Sequence, residues 1–223
     1  ATLPNGLNTG TISVTTPYGT ATSSSNFTVN QLPTINPITG DFSFCQYTNT
    51  TLSNTTLGGI WSSDTPSVAT IDSFGLVNGI TSGNSVITYT YTDGNQCTNN
   101  DGAVVTVNAL PVLICPDDSF DNQVQCGVSV ALAQSTTNSN FDAWFNSFEL
   151  PAGMTLVGVE YVYSPAEANQ ELDGDPNTVS KAPLNPRLGV ADAIETSVLV
   201  KWTVQDENGC QASCSSTFSL QYN

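Results

Sequence analysis

The chain contains no histidine, and its 223 residues include only three basic side chains against nineteen acidic ones, a formal net charge of −16. Each shortage excludes a class of function. Without histidine the usual proton carrier near neutral pH is missing, and with it Ser–His–Asp, Cys–His and zincin-type sites. Without Lys and Arg in number nothing neutralises a phosphate backbone, so nucleic acid is excluded as a partner and anionic membrane surfaces are disfavoured. No apolar run reaches the roughly 18 residues of a spanning helix, so no direct membrane insertion is expected. Neither a Gly-x-Gly-x-x-Gly fingerprint nor a P-loop occurs. The chain begins at Ala1 with no signal-like segment, which reads as a processed protein or an excised piece of a longer one.

What remains is 39% hydrophobic and 10% charged, with Gly, Thr, Ser and Asn in place of the usual Lys and Glu. β-branched residues suit a pleated surface, and Gly and Asn accept turn geometry, so many short strands with tight turns are expected. The six cysteines form no Cys-x-x-Cys; without histidine they cannot build the ordinary zinc sites, so disulfides in an oxidising, extracytoplasmic setting are expected.

Three stretches follow one another. Residues 1–30 alternate in TISV, turn at PYG and resume in NFTV, a β-hairpin pattern too short to bury a core. QLPTINPITG, with Pro33 and Pro37, reads as a stiff connector. From Gly40 to Leu110 come strand-length runs: FSFCQY, TTLGGIWSS, SVATIDSF, GLVNGI and then VITYTYTD and AVVTV, the last two joined by the polar loop GNQCTNNDG. Period-2 alternation with a turn about every eight residues predicts a β-sandwich.

The residues GIWSSDTPSVATIDSFGLVNGITSGNSVITYTY resemble the bacterial Ig-like repeats of surface proteins: Gly59, Trp61, Pro66 to Ile71, Gly75 to Gly79 and Ile87 to Tyr89 fall on the family's positions. The resemblance implies a disulfide between Cys45 and Cys97, because family members often carry cysteines before the first core strand and after the TYT strand. GTISVTTPYGTATSSSNFTV resembles the end of an IPT/TIG module. The stretch from Pro111 onward resembles HYR-type modules at ICP, at Cys126–Gly127, at WTVQDENG and at the last cysteine. It departs from them in a long acidic middle. Four cysteines allow three pairings there; Cys115–Cys214 with Cys126–Cys210 is the favoured one. Within that middle, FDAWFNSF is compatible with a short helix or with a buried aromatic strand.

Fourteen of the nineteen carboxylates lie between Asp117 and Glu207. Acidity of this kind serves solubility, and hard ions such as Ca²⁺ also want oxygen ligands. In ELDGDPN, Glu171, Asp173, Asp175 and Asn177 surround a glycine turn and form the best local calcium candidate, although the EF-hand ladder is missing. Asp117, Asp118 and Asp121 form a second candidate near a domain junction. Asp206, Glu207 and Asn208 form a weaker one in the hairpin turn DENG. No other cofactor is suggested. Glu160, Glu167, Glu171 and Asp173 are the densest carboxylates for a paired-acid glycosidase. Trp61 and Trp202 lie in alternating strands and are read as core, whereas Trp144 is the candidate for a ligand-contacting aromatic. Lys201 raises the idea of an isopeptide staple, with a solvent-facing lysine as the plainer reading. Asp72-Ser73-Phe74 and Asp118-Ser119-Phe120 match a bacterial O-glycosylation pattern, and Asn26, Asn49 and Asn54 head N-x-[ST] triplets.

The sequence therefore predicts an all-β chain of tandem immunoglobulin-like β-sandwiches: an IPT/TIG-like tail with linker over 1–32, a bacterial Ig-like domain over 33–109, and an HYR-like domain over 110–223. The resemblance implies a non-catalytic segment of a secreted adhesin on the bacterial cell surface, of the type that gliding Bacteroidota export by the type IX system. Its expected partners are neighbouring Ig-like modules of the same chain, with surface glycans or the motility machinery engaged through the full-length protein. Carbohydrate-binding or spacer modules of a secreted polysaccharide-degrading enzyme are the alternative.

Overall fold

The computed structural model describes residues 9–124, 139–164 and 196–222. It divides into two compact units, Ala1–Val107 and Asn108–Asn223. The first unit opens with the hairpin β1 (Ser13–Thr16) and β2 (Gly19–Thr22), paired antiparallel. Every residue of both strands is exposed. Cross-strand hydroxyl pairs, Ser13 with Thr22 at 2.8 Å and Thr15 with Thr20 at 2.9 Å, line one side. As its length predicts, the hairpin has no core of its own.

The sandwich of the first unit uses β3 (Ser43–Cys45), β4 (Asn49–Thr51), β5 (Ile60–Ser63), β6 (Ala69–Ile71), β7 (Leu76–Gly79), β8 (Gly83–Thr92) and β9 (Thr98–Asn108). One sheet has the order β3-β9-β8-β5 and the other the order β4-β7-β6. This is the seven-strand, two-sheet division of an immunoglobulin-like domain. Inward residues of both sheets, Leu52, Ala69, Val77, Ile87, Tyr89, Val105 and Val107, make one core with Ile38. Trp61 on β5 packs against it, with its ring 4.6 Å from that of Tyr89. The Tyr89 hydroxyl donates to the Thr56 carbonyl at 2.6 Å and accepts from the Gly59 N–H at 2.8 Å, so the buried phenol fastens the loop that leads into β5.

The second unit is built on β10 (Ser119–Val124), β11 (Thr155–Ser164), β12 (Thr196–Gln205) and β13 (Gln211–Tyr222) in the order β10-β13-β12-β11. β10 runs parallel to β13 and the other pairs are antiparallel. Residues 139–145 form a short helix, α1, which settles the open alternative for FDAWFNSF. Phe141, Trp144, Phe145 and Phe148 follow the i, i+3, i+4, i+7 spacing of one helical face. The first three lie in α1 and Phe148 in the turn after it, and they meet Val198, Val200, Trp202 and Phe218 of the sheet. Cys115 and Cys214 are joined by a disulfide with an S–S distance of 2.06 Å.

One turn chemistry recurs in both units. In DSFGL, DGNQC and DENGC the first aspartate accepts hydrogen bonds on Oδ1 from the third and fifth residues' N–H groups. Asp72 holds Phe74 and Leu76 at 2.8 and 2.9 Å, Asp93 holds Asn95 and Cys97 at 2.9 Å each, and Asp206 holds Asn208 and Cys210 at 2.9 and 2.8 Å. The fourth residue takes a left-handed conformation: Gly75 at φ 84°, Gln96 at φ 65° and Gly209 at φ 80°. Glycine meets that requirement without steric cost, and glutamine does not.

Two expectations need correction. The polar stretch GNQCTNNDG is not a long loop: the turn at Asp93 sets Thr98 opposite Thr92, and the Thr and Asn residues extend the ladder of β9. Their side chains are compatible with strand because they lie at the ladder's more exposed end. The Cys45–Cys97 bridge is not formed, and Cys97 is a free, half-buried thiol. Phe42, just before β3, accepts a hydrogen bond from Thr106 near the end of β9, whereas Cys97 precedes the start of that strand. At about 3.3 Å per residue the two ends of β9 are roughly 30 Å apart, far beyond the span of a disulfide. Cys45 and Cys210 are each disulfide-bonded. Cys126, and with it the expected Cys126–Cys210 pairing, lies outside the described residues.

Candidate functional site

Among the described residues, the candidates do not converge on one place. Glu171, Asp173, Asp175 and Asn177 lie outside the described residues, as does Glu167. Asp121 lies in β10, where only the backbone is described. Asp118 is committed to the fold: its Oδ1 accepts the Thr217 N–H of β13 at 2.6 Å. Asp117 contributes its backbone carbonyl, which accepts the Trp144 indole N–H at 2.7 Å. Asp206 spends its carboxylate on the hairpin turn. Among the described residues no three His, Cys, Asp or Glu side chains come together as a metal site.

Trp144 packs partly against the core of the second unit. Its ring packs against Phe141, Trp202 and Phe218 at centroid distances of 5.5–5.8 Å. With the face used by other aromatics and the N–H used by Asp117, little of the indole is left to stack on a sugar. Trp144, half-buried, shares the packed face of α1 with Phe141 and Phe145. Trp202, 1% exposed, is core as read from the sequence.

Glu160 and Lys201, opposite each other on β11 and β12, form an ion pair at 3.3 Å with exposed side chains. Such a surface pair contributes little to stability, and it makes Lys201 a solvent-facing lysine. Glu160 is thereby a pairing partner of a cation, while Glu171 and Asp173, with which the sequence groups it, lie outside the described residues. The open cleft of about 460 Å³ beside Cys115 is lined by Val112, Ile114, Leu150 and Pro151 with one carboxylate, Glu149. One acid and an apolar lining do not supply the two opposed carboxyl groups that glycoside hydrolysis requires.

Polar groups that depart from ordinary behaviour serve the fold. Asp64 accepts hydrogen bonds from Val86 N–H at 2.7 Å and Ser85 Oγ at 2.9 Å. These, with a bond from Thr65, hold its carboxyl below the usual carboxylate range. Ser85 Oγ also lies 2.9 Å from Ser63 Oγ, which donates to the Ala69 carbonyl at 2.6 Å. The cluster ties β5, β6 and β8 together around one buried serine, a network that the isolated residues did not announce. Asp142 on α1 has an unpartnered, buried Oδ1, and burial pushes its pKa up. Asp72-Ser73-Phe74 occupies the β6–β7 turn, where Phe74 is 87% exposed. Of Asp118-Ser119-Phe120, Ser119 begins β10.

No protein-family model matches the chain, and no curated protein matches it in sequence. Solved structures similar to it include an intimin mutant of EHEC O157:H7, 14% identical over 55% of this chain and 86% of that one, with a TM-score of 0.28. Domains 4 and 5 of the S-layer protein SbsC match at 13% identity, over 86% of this chain and 99% of that one, with a TM-score of 0.29. Drosophila N-cadherin EC1-4 matches at 10% identity, over 84% of this chain and 50% of that one, with a TM-score of 0.29. The immunoglobulin-like assignment rests on this chain's own strand order and register.

Proposed function

We propose that the chain is a non-catalytic structural segment of a secreted bacterial cell-surface adhesin, spacing an adhesive region from the cell. The observation that supports this most is the repetition of one plan in series. In each unit a long antiparallel hairpin, β8–β9 or β12–β13, is flanked by a strand on either side, and its turn is closed by the same aspartate device. Among the described residues, Asp64, Asp72, Asp93, Asp118 and Asp206 spend their carboxylates on turns and backbone N–H groups. The disulfides fit an oxidising, extracellular location. The finer assignment, a gliding adhesin exported by the type IX system, rests on the resemblance of the repeat types alone. Calcium at Glu171, Asp173, Asp175 and Asn177 belongs to the same proposal as a stiffening ion.

A glycan array probed with the purified chain tests the spacer reading. The expected result is no saturable binding, with Trp144→Ala changing only stability. Binding of one ligand class with retained affinity after unfolding controls would favour a lectin and overturn the spacer role.

A further inference from the structure

Pro33–Thr39, the connector between the hairpin and the sandwich, is bonded to the sandwich at Pro33, Asn36, Ile38 and Thr39. Asn99 Nδ2 donates to the Pro33 carbonyl at 2.8 Å. The Asn36 N–H donates to Thr56 Oγ1 at 3.0 Å, and the Asn36 carbonyl accepts from Asn54 Nδ2 at 2.5 Å. The Ile38 N–H donates to Asp101 Oδ2 at 2.8 Å, and Ile38 itself enters the core at 7% exposure. Thr39 and Ser53 exchange both backbone bonds at 2.8 and 2.9 Å. The anchors come from both sides of the sandwich: Ser53, Asn54 and Thr56 follow β4 of one sheet, while Asn99 and Asp101 belong to β9 of the other.

We propose that these side chains form a clasp that makes Pro33–Thr39 a rigid strap across both sheets and confines bending to Asn30, Gln31 and Leu32. Those three exposed residues lie between Val29, whose N–H is held by Thr9 Oγ1 at 3.1 Å, and the first anchor at Pro33. Proline restricts the backbone at positions 33 and 37, but it does not attach a connector to its neighbour. The asparagines and Asp101 do that. Tension arriving from the preceding hairpin is therefore divided between the two sheets and does not peel one edge strand. The inference goes beyond the spacer reading and stands or fails without it, because the clasp is a local property of this junction.

Amide hydrogen exchange on the whole chain, read by NMR, tests it. Asn36, Ile38 and Thr39 amides are expected to be protected while those of Gln31 and Leu32 exchange freely. Asp101→Ala is expected to lower protection at Ile38 at least tenfold and leave the amides of β8 unchanged. Asp101→Asn, which keeps an acceptor oxygen, is expected to retain most of it. Unprotected Asn36 and Ile38 amides in the native chain, or an Ile38 amide indifferent to Asp101→Ala in a folded variant, would overturn the clasp. Should Asp101→Ala fail to fold, the native protection pattern and Asn99→Ala, read by raised backbone mobility at Pro33–Ile35, carry the test. A Pro33–Ile35 segment as rigid as in the native chain would then overturn it.

Discussion

The two units place the same strand order, a hairpin flanked on both sides, under different covers. In the first, the sheet β3-β9-β8-β5 faces a second sheet, and small and branched aliphatic side chains interlock between them. In the second, the described cover of β10-β13-β12-β11 is the seven-residue helix α1, and the contact is made by aromatic rings. A helix this short is marginal alone. It is held because each of its three large side chains finds a ring or a β-branched partner on the sheet. Trp202 lies at the centre, within 5.2–5.7 Å of Trp144, Phe145 and Phe148. The same sheet can therefore be closed by many modest contacts or by a few large ones, and the second arrangement is the more fragile to a single substitution.

The largest effect is expected where the aromatic cover concentrates its contacts. Trp202→Ala should cost about 3–5 kcal/mol and release α1, whereas Val105→Ala in the aliphatic core should cost less; denaturant melts of the two variants compare them directly. Removing the Cys115–Cys214 bridge, whose sequence separation is 99, should cost roughly 2–5 kcal/mol in the second unit, while the first unit's transition stays in place. Tyr89→Phe leaves the Thr56 carbonyl and Gly59 N–H without their partner and should cost about 1–3 kcal/mol, a loss confined to the first unit.

Smaller effects sharpen the comparison at the shared turns. A Cβ at Gly75 would sit 2.2 Å from the Leu52 carbonyl oxygen, while one at Gly209 would meet nothing nearer than Gln205 Nε2 at 3.9 Å. Gly209→Ala should therefore lose about 1–2 kcal/mol from backbone handedness alone, and Gly75→Ala should lose more. Gln96→Gly should gain up to about 1 kcal/mol, offset in part by the entropy of a freer unfolded chain.

The two perturbed aspartates should respond to acid in opposite senses. Asp64, with its folded pKa lowered by hydrogen bonds, contributes stability that is present above the unfolded value of 3.8 and lost as pH falls through the folded one. Asp142, with its pKa raised by burial, disfavours the folded state at neutral pH, and that penalty is relieved as pH falls through its folded pKa. Acid titrations of Asp64→Asn and Asp142→Asn check the signs. The first should flatten the acid loss, and the second should hold or raise stability at neutral pH.

Much of the first unit was legible because SVITYTYTD and VVTV alternate strictly and place Ile87, Tyr89, Val105 and Val107 on one face. The aspartate turns were legible only in part: DSFG and DENG carry glycine at the left-handed position, but DGNQ hides the same turn behind glutamine and so read as a long loop. That misreading hid the position of Cys97 at the far end of β9. The helix was signalled by the spacing of Phe141, Trp144, Phe145 and Phe148, yet eight residues with four aromatics also suit a buried strand. Asp118 looked like an ion ligand because a sequence displays a carboxylate without showing that it will meet the Thr217 N–H. The connector anchors were invisible for the same reason: Asn54, Asn99 and Asp101 are ordinary polar residues until the sheets bring them to the strap.

The central proposal, that this chain is a structural spacer, is tested most directly by pulling single molecules from their two ends. The account predicts distinct unfolding events well above thermal forces, with reduction of the disulfides lengthening the released chain by roughly 330 Å or more from the Cys115–Cys214 loop. Extension at negligible force, with no discrete events, would contradict it.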